Sequence, residues 1–329
     1  MTSAKQSAIQ PPRIVVVGSV NMDLVARMNR LPRPGETVFG TSFQTIPGGK
    51  GANQAVAAAR LGASVVMIGC VGSDTFGISL RTNLRDAGVE IDHLIDIPDV
   101  SSGVALIGVD ESGANSITVV PGANAHLLSD VVASREQVIA GARALIVQLE
   151  TPLDAVATAI RIAQRHGIMT VLDPAPAPRD PLPDTLLSVD FISPNQTEAE
   201  VLTGVIVRDW DSAEIAAKVL HSRGTKNVVL KMGELGCLVS LTDGLMRRVV
   251  ARKAQVVDTT AAGDAFTAAL TMALCEGHSP AVAAEFATCA GTLACSRFGA
   301  QPAMPTRSEL EAWIGQGSND RTTCDPLLP

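Results

Sequence analysis

Six short runs of aliphatic and β-branched residues punctuate the chain: Arg13–Val17, Val65–Ile68, Ala144–Gln148, Thr170–Leu172, Phe191–Ile192 and Val228–Lys231. Their apolar positions are continuous rather than alternating, which predicts strands covered on both faces. Between them lie stretches with apolar residues at helical spacing or rich in alanine, among them Asn53–Leu61, Leu153–His166, Ala213–Arg223 and Ala265–Glu276. Such strands alternating with helices predict an α/β domain with a mostly parallel central sheet flanked by helices.

Two segments break this rhythm. Residues 22–47 and 97–120 carry period-two patterns and turn dipeptides such as Pro34-Gly35 and Ser112-Gly113, with no helical stretch between them. Within the second, Val104–Val109 and Ser116–Val120 predict a hairpin. The two segments together predict a small β-sheet lid over the edge of an α/β domain built from 13–21, 48–96 and 121–314. Residues 1–12, polar and closed by Pro11-Pro12, read as a flexible leader, and 315–329 as a flexible tail.

Composition narrows the function. Of 329 residues, 46% are hydrophobic and 18% charged, a globular balance. A net charge of -7, no Tyr and two Trp leave neither a basic footprint nor aromatic platforms, so no nucleic acid partner is expected. No apolar stretch is long enough to span a membrane. The six cysteines, Cys70, Cys237, Cys275, Cys289, Cys295 and Cys324, form no C-x-x-C pair and mostly sit in apolar runs. They suit a reducing compartment, and with no apolar N-terminal segment the expected location is cytoplasmic.

The segment Gly48-Gly49-Lys50-Gly51-Ala52-Asn53 invites two phosphate-loop readings and fits neither. Gly51 stands where a Walker A loop needs Ser or Thr, and Gln54 stands where a dinucleotide fingerprint needs its third glycine. A tight turn opening a helix remains. The string Asp258-Thr259-Thr260-Ala261-Ala262-Gly263-Asp264, just before an alanine-rich helix, is more informative. A helix N-terminus offers free N–H groups and partial positive charge. Small side chains at Ala261, Ala262 and Gly263 let an anion reach them. Asp264 there is either a proton acceptor or an N-cap.

Other candidates are weaker singly. Asn21 and Asp23 follow the first strand and suit sugar hydroxyls, or a turn. Lys50 and Asn53 offer donors to the same pocket, or Lys50 is simply solvated. Glu150 ends the run ALIVQLE, as a pocket acid or a surface one. Asn195 and Glu198 have the spacing of a capping box, or organise Mg²⁺ and its waters around phosphates. In Lys231–Gly236, Gly233 and Gly236 let a nucleotide approach the backbone, or form a hairpin turn. The five histidines are scattered and suggest no triad.

Taken together these strings resemble the ribokinase (PfkB-type carbohydrate kinase) family from about Arg13 to about Trp313. The motifs are GSVNMD at 18–23, RPGETVFG at 33–40, PGGKGANQAVAAARLGA at 47–63, NSITVVPGAN at 115–124, SPNQTEAE at 193–200, DTTAAGDAF at 258–266 and GAQPAMP at 299–305. The resemblance implies ATP-dependent phosphorylation of D-ribose at O5. The alternatives are 2-deoxyribose or a nucleoside as acceptor, or a sugar-binding regulator without catalysis. It implies Asp264 as base, with Ala261, Ala262 and Gly263 completing an anion hole. It implies a sugar site of Asn21, Asp23, Gly49, Lys50, Asn53 and Glu150. The nucleotide side would be Asn195, Glu198, Lys231, Gly233, Gly236, Gly263 and Thr288, with Mg²⁺ at the phosphates. A K⁺ site would involve Asp258, Thr260, Ala294, Arg297, Gly299 and Ala303. A homodimer joined through the lids is expected, its apolar face drawn from Val38, Phe39, Val104, Leu106, Val119 and Val120. Asp173 departs from the pattern, standing where the family usually has Asn, as does Ala262 where Gly is common.

Overall fold

The computed structural model describes residues 10–316; most of the expected leader and tail lies outside them. The large sheet collects β1 (Arg13–Val17), β4 (Ser64–Gly72), β5 (Val89–Glu90), β6 (Leu94–Ile97), β9 (Ala144–Val147), β10 (Met169–Leu172), β11 (Phe191–Ile192), β12 (Asn227–Lys231), β13 (Gly236–Ser240) and β14 (Met246–Val250). A second sheet holds β2 (Asn21–Met28), β3 (Gly40–Gly48), β7 (Gly103–Val109) and β8 (Asn115–Val120).

The large sheet runs β14-β13-β12-β11-β10-β9-β1-β4-β5, with β6 also paired to β4. From β12 through β5 every pairing is parallel, and only β12–β13 and β13–β14 are antiparallel. Alternate residues feed two cores. Ile14, Val16, Val65, Met67 and Ile146 join the layer of helices Lys50–Arg60, Ala262–Cys275 and Pro280–Cys295. Val15, Val17, Val66, Ile68 and Leu145 join that of helices Leu153–Arg165 and Trp210–Ser222. The continuous apolar strands are therefore apolar because both faces are covered.

Helix Lys50–Arg60 starts three residues before the predicted Asn53, because the glycine run is its cap and first turn. Helix Pro280–Cys295 escapes prediction because it is apolar almost all round, as a helix sandwiched in a core is. Helix Arg307–Gln316 carries regular structure into the first two residues of the expected tail.

In the small sheet, of order β3-β2-β7-β8, β2 pairs antiparallel with β3 and parallel with β7, and β7 and β8 form the expected hairpin. Register divides the expected apolar face. Val104 pairs with Val120 and Ala105 with Val119, so Leu106 shares a face with Val104 and Val120, while Val119 points to the other. Val104 packs against the main core rather than outward, and Val38 is only half-exposed, whereas Phe39, Leu106, Val119 and Val120 are exposed.

Candidate active site

The parallel strands end on one side of the sheet, and the polar residues that follow them gather there, as crevices of α/β sheets require. Glu150 follows β9, Asp173 follows β10, Asn195 follows β11, and Lys231 ends β12. Facing them is the first turn of helix Ala262–Cys275. A cavity of about 930 Å³ lies between, lined by Lys50, Asp173, Asn195, Glu198, Lys231, the Gly233–Gly236 turn, the Ala251–Ala254 segment, Ala261–Asp264 and Thr288.

Asp264 lies at the bottom, 4% exposed. It does not cap its helix; Ala261 takes the cap position with φ of 59° and no side-chain bond. The Asp264 carboxylate instead accepts from Asn53 Nδ2 at 2.9 Å and Gln54 Nε2 at 3.0 Å. Burial pushes its pKa up to about 6, Asp173 adds to the rise, and Lys50, Asn53 and Gln54 oppose it. The Ala262 N–H is held by Thr259 O at 3.3 Å, whereas those of Gly263 and Asp264 find no backbone carbonyl among the described residues. These two free donors, with the Ala261 N–H, which likewise meets no backbone carbonyl among the described residues, lie at the cavity end.

Beyond Asp264, toward the small sheet, the remaining sugar-site candidates converge. Asn21 and Asp23 lie on β2 rather than in a turn, in register with Gly48 and Ile46. Asn21 Oδ1 accepts from Asn124 Nδ2 at 2.7 Å, and Asn124 Oδ1 accepts from Val20 N at 2.9 Å. Asp23 is buried, and burial with the nearby charges of Glu150 and Asp264 pushes it up to about 7, Lys50 opposing. Glu150 is no free surface acid: it accepts from Ser19 Oγ at 2.5 Å and Lys50 N at 3.1 Å. Burial works against the Lys50 charge, but Asp264, Asp173, Glu150 and Glu198 outweigh it and hold the ammonium above its ordinary pKa.

The glycine run exists for close approach. Gly49 has φ of 88°, and a Cβ there would lie 2.6 Å from Asn21 N. On Gly48 it would lie 2.3 Å from Asp23 Oδ2. The turn therefore packs directly on β2, the strand that carries Asn21 and Asp23.

On the other side, Asn195 and Glu198 do form the capping box: Asn195 Oδ1 accepts from Glu198 N at 2.8 Å, and Glu198 Oε2 from Asn195 N at 2.7 Å. Glu198 also lines the cavity, where burial raises its pKa and Lys231 counteracts. Gly236 opens β13 after the turn with φ of 107°, where a Cβ would strike Val249 O. Thr288 lines the cavity with its hydroxyl turned to its own helix, donating to Ala284 O at 2.7 Å. The expected cation residues lie outside the cavity lining. Asp258 accepts from Thr260 N and Oγ1 at 2.9 and 2.7 Å and from Gly299 N at 3.0 Å, tying two loops together. Ala294 O is taken by Arg297 N, the Arg297 side chain pairs with Glu309, and Ala303 N donates to Ala300 O.

Sequence reading missed the site's inner support. Gln54 appeared only as the residue that breaks a fingerprint, and Gln148, Asn124 and the Ala251–Ala254 segment had no role. Their signal is tertiary: Gln148 Nε2 donates to Gln54 Oε1 at 2.6 Å across the fold.

A crevice at the strand ends, an acid beneath free helix N–H groups and a small sheet alongside make up the candidate site. A ribokinase from Arabidopsis thaliana, solved with ribose and ATP, superposes with a TM-score of 0.86 at 33% identity, covering 92% of this chain and 99% of that one. The pattern of the pfkB family carbohydrate kinases matches residues 11–322, and the chain belongs to that family. It is 43% identical to the ribokinase of Haemophilus influenzae over 297 residues, 90% of this chain and 96% of that protein. It is 39% identical to a deoxyribokinase of Salmonella typhi over 253 residues, 77% of this chain and 82% of that protein.

Proposed function

We propose that the protein transfers the γ-phosphoryl group of ATP to O5 of D-ribose, giving ADP and D-ribose 5-phosphate. The observation that carries this reading is the buried Asp264 carboxylate beside free N–H groups, at the junction of the cavity and the Asn21–Asp23–Asn53 cluster. Asp264 takes the O5 proton as that oxygen bonds to the γ-phosphorus, and the bond from phosphorus to the bridging β,γ-oxygen breaks to release ADP. The N–H groups of Gly263 and Asp264, with Lys231, meet the charge on the transferring group. Asn21, Asp23, Lys50, Asn53 and Glu150, with Gly49 allowing close approach, hold the sugar. Asn195, the Gly233–Gly236 turn and Thr288 flank the nucleotide. The small sheet acts as a lid that keeps water from competing as acceptor.

Among the described residues no group of three or more His, Cys, Asp or Glu could hold a metal ion by itself. The buried Glu198 suits Mg²⁺ held chiefly by nucleotide phosphates and water, an ion that keeps its waters and supplies charge neutralisation when bound. Asp258 and the carbonyls of Thr260 and Gly299, which accept no backbone hydrogen bond among the described residues, would supply the oxygen ligands of a K⁺ ion. Ala294, Arg297 and Ala303 shape the loop around it. We further propose a homodimer through the lids. Leu106 lies on the face opposite that of Asp23 and is free for a partner. No described helix is long and apolar enough to cross a membrane, and the five described cysteines are free, which supports a cytoplasmic location.

The deoxyribokinase relative favours 2-deoxyribose as a second acceptor. Coupled ADP release across ribose, 2-deoxyribose, other pentoses and nucleosides tests the choice. Ribose is expected to give the highest kcat/KM. A tenfold advantage for deoxyribose or a nucleoside would overturn the assignment, and no turnover with any acceptor would favour a sugar-binding regulator.

A further inference from the structure

Asp173 is 1% exposed, yet it occupies the centre of the site's polar network. Its Oδ1 accepts from Lys231 Nζ at 2.9 Å, an ion pair with little access to water on either side. Its Oδ2 accepts from Gln54 Nε2 at 2.8 Å, and the same nitrogen donates to Asp264 Oδ1. One carboxamide thus bridges two buried carboxylates. The Lys231 ammonium also lies against the first turn of helix Ala262–Cys275, 3.4 Å from where a Cβ on Gly263 would stand.

Burying two carboxylates beside one amide is costly, and a buried ion pair is poor value as a staple between strands. Here the arrangement does two things at once. It holds a cation where a phosphoryl group would arrive, and it sets a negative charge beside the proposed base. The charged groups around Asp264 come from several elements: Lys50 on its helix, Asp23 on β2, Glu150 after β9, Asp173 after β10, Glu198 on the helix Gln196–Thr203, and Lys231 on β12. Of these, Asp173 alone is joined to Asp264 by a shared hydrogen-bond donor and also carries a cation at the Gly263 turn.

We propose that Asp173 is a positioning residue of the phosphoryl transfer, anchoring Lys231 at the Gly263 turn and, through Gln54, setting the pH at which Asp264 works. This rests on the reading of Asp264 as the base. Asp173→Asn keeps shape and removes charge. With ATP saturating, kcat and kcat/KM for ribose are measured from pH 5 to 9. The acid limb is expected to move to lower pH, so that low on the limb the variant keeps about tenfold more of its plateau rate than the parent, the effect of one like charge removed at this range. Lys231→Met leaves the Asp173 charge uncompensated and is expected to move the limb to higher pH. A purely structural role would lower the plateau and leave both limbs where they are, and that result overturns the proposal. If Asp173→Asn does not fold, the Lys231→Met limb decides alone. Asp264→Asn separates the two readings. Full activity in that variant sinks the base assignment, while an inactive Asp264→Asn with unmoved limbs in the other two sinks only the role of Asp173.

Discussion

Replacing Asp264 by Asn should cripple turnover and, at neutral pH, leave the fold at least as stable. A general base contributes about 10²–10⁴-fold to kcat, or about 3–5 kcal/mol of barrier. The amide cannot take the O5 proton, so kcat should fall by that range while the KM for ribose changes little. The stability half follows from the same carboxyl. Burial, aided by Asp173, lifts its pKa from 3.8 to about 6. A carboxyl that holds its proton more tightly when folded costs stability as pH rises from about 4 to about 6, and the cost persists above that; for this difference it is about 3 kcal/mol. Asn removes the charge and most of that cost. The replacement can also be accommodated, because Asn53 Oδ1 has no partner among the described residues and can turn to accept from the new amide. Differential scanning calorimetry should therefore find the variant's Tm equal to or above the parent's at pH 7, the gap closing by about pH 4. A variant keeping more than about a tenth of parental kcat would remove Asp264 from the base role. A Tm well below the parent's at pH 7 would refute the account of the buried charge.

Gly49→Ala places a methyl 2.6 Å from Asn21 N at a backbone φ of 88°. It should cost about 1–3 kcal/mol and raise the KM for ribose more than that for ATP, by thermal melts and steady-state kinetics; equal changes in both would detach the turn from the sugar site. Exchanging Na⁺ for K⁺ at constant ionic strength should raise activity through the Asp258 loop, and Asp258→Ala should abolish the difference. Equal parental rates in the two salts would remove the cation site. Light scattering should give twice the mass of one chain, and Leu106→Asp, on the lid face away from Asp23, should reduce it toward one. An active parental monomer would rule out shared lids.

How far the sequence carried each of these points depends on where its physical cause lies. The strands β1, β9, β10 and β12 were legible because continuous apolar runs have one economical solution, burial on both faces. The β7–β8 hairpin was legible because its turn and alternation are local. The string Asp258–Asp264 was legible as a helix start with small side chains, but whether Asp264 capped the helix or faced a cavity was not. That was decided by Asn53 and Gln54, which arrive from a helix over two hundred positions earlier in the chain. The same holds for Glu150, a surface acid in isolation and a partner of Ser19 and Lys50 once β9 and β1 lie side by side. Asn195 and Glu198 make the cap and line the cavity together, an outcome that local spacing presented as a choice. The network of Asp173, Gln54 and Lys231 is wholly tertiary. Each residue ends or follows an ordinary strand or sits on an ordinary helix, and only the crossover connections, which bring the carboxyl ends of parallel strands to one side, place their polar groups within hydrogen-bond reach.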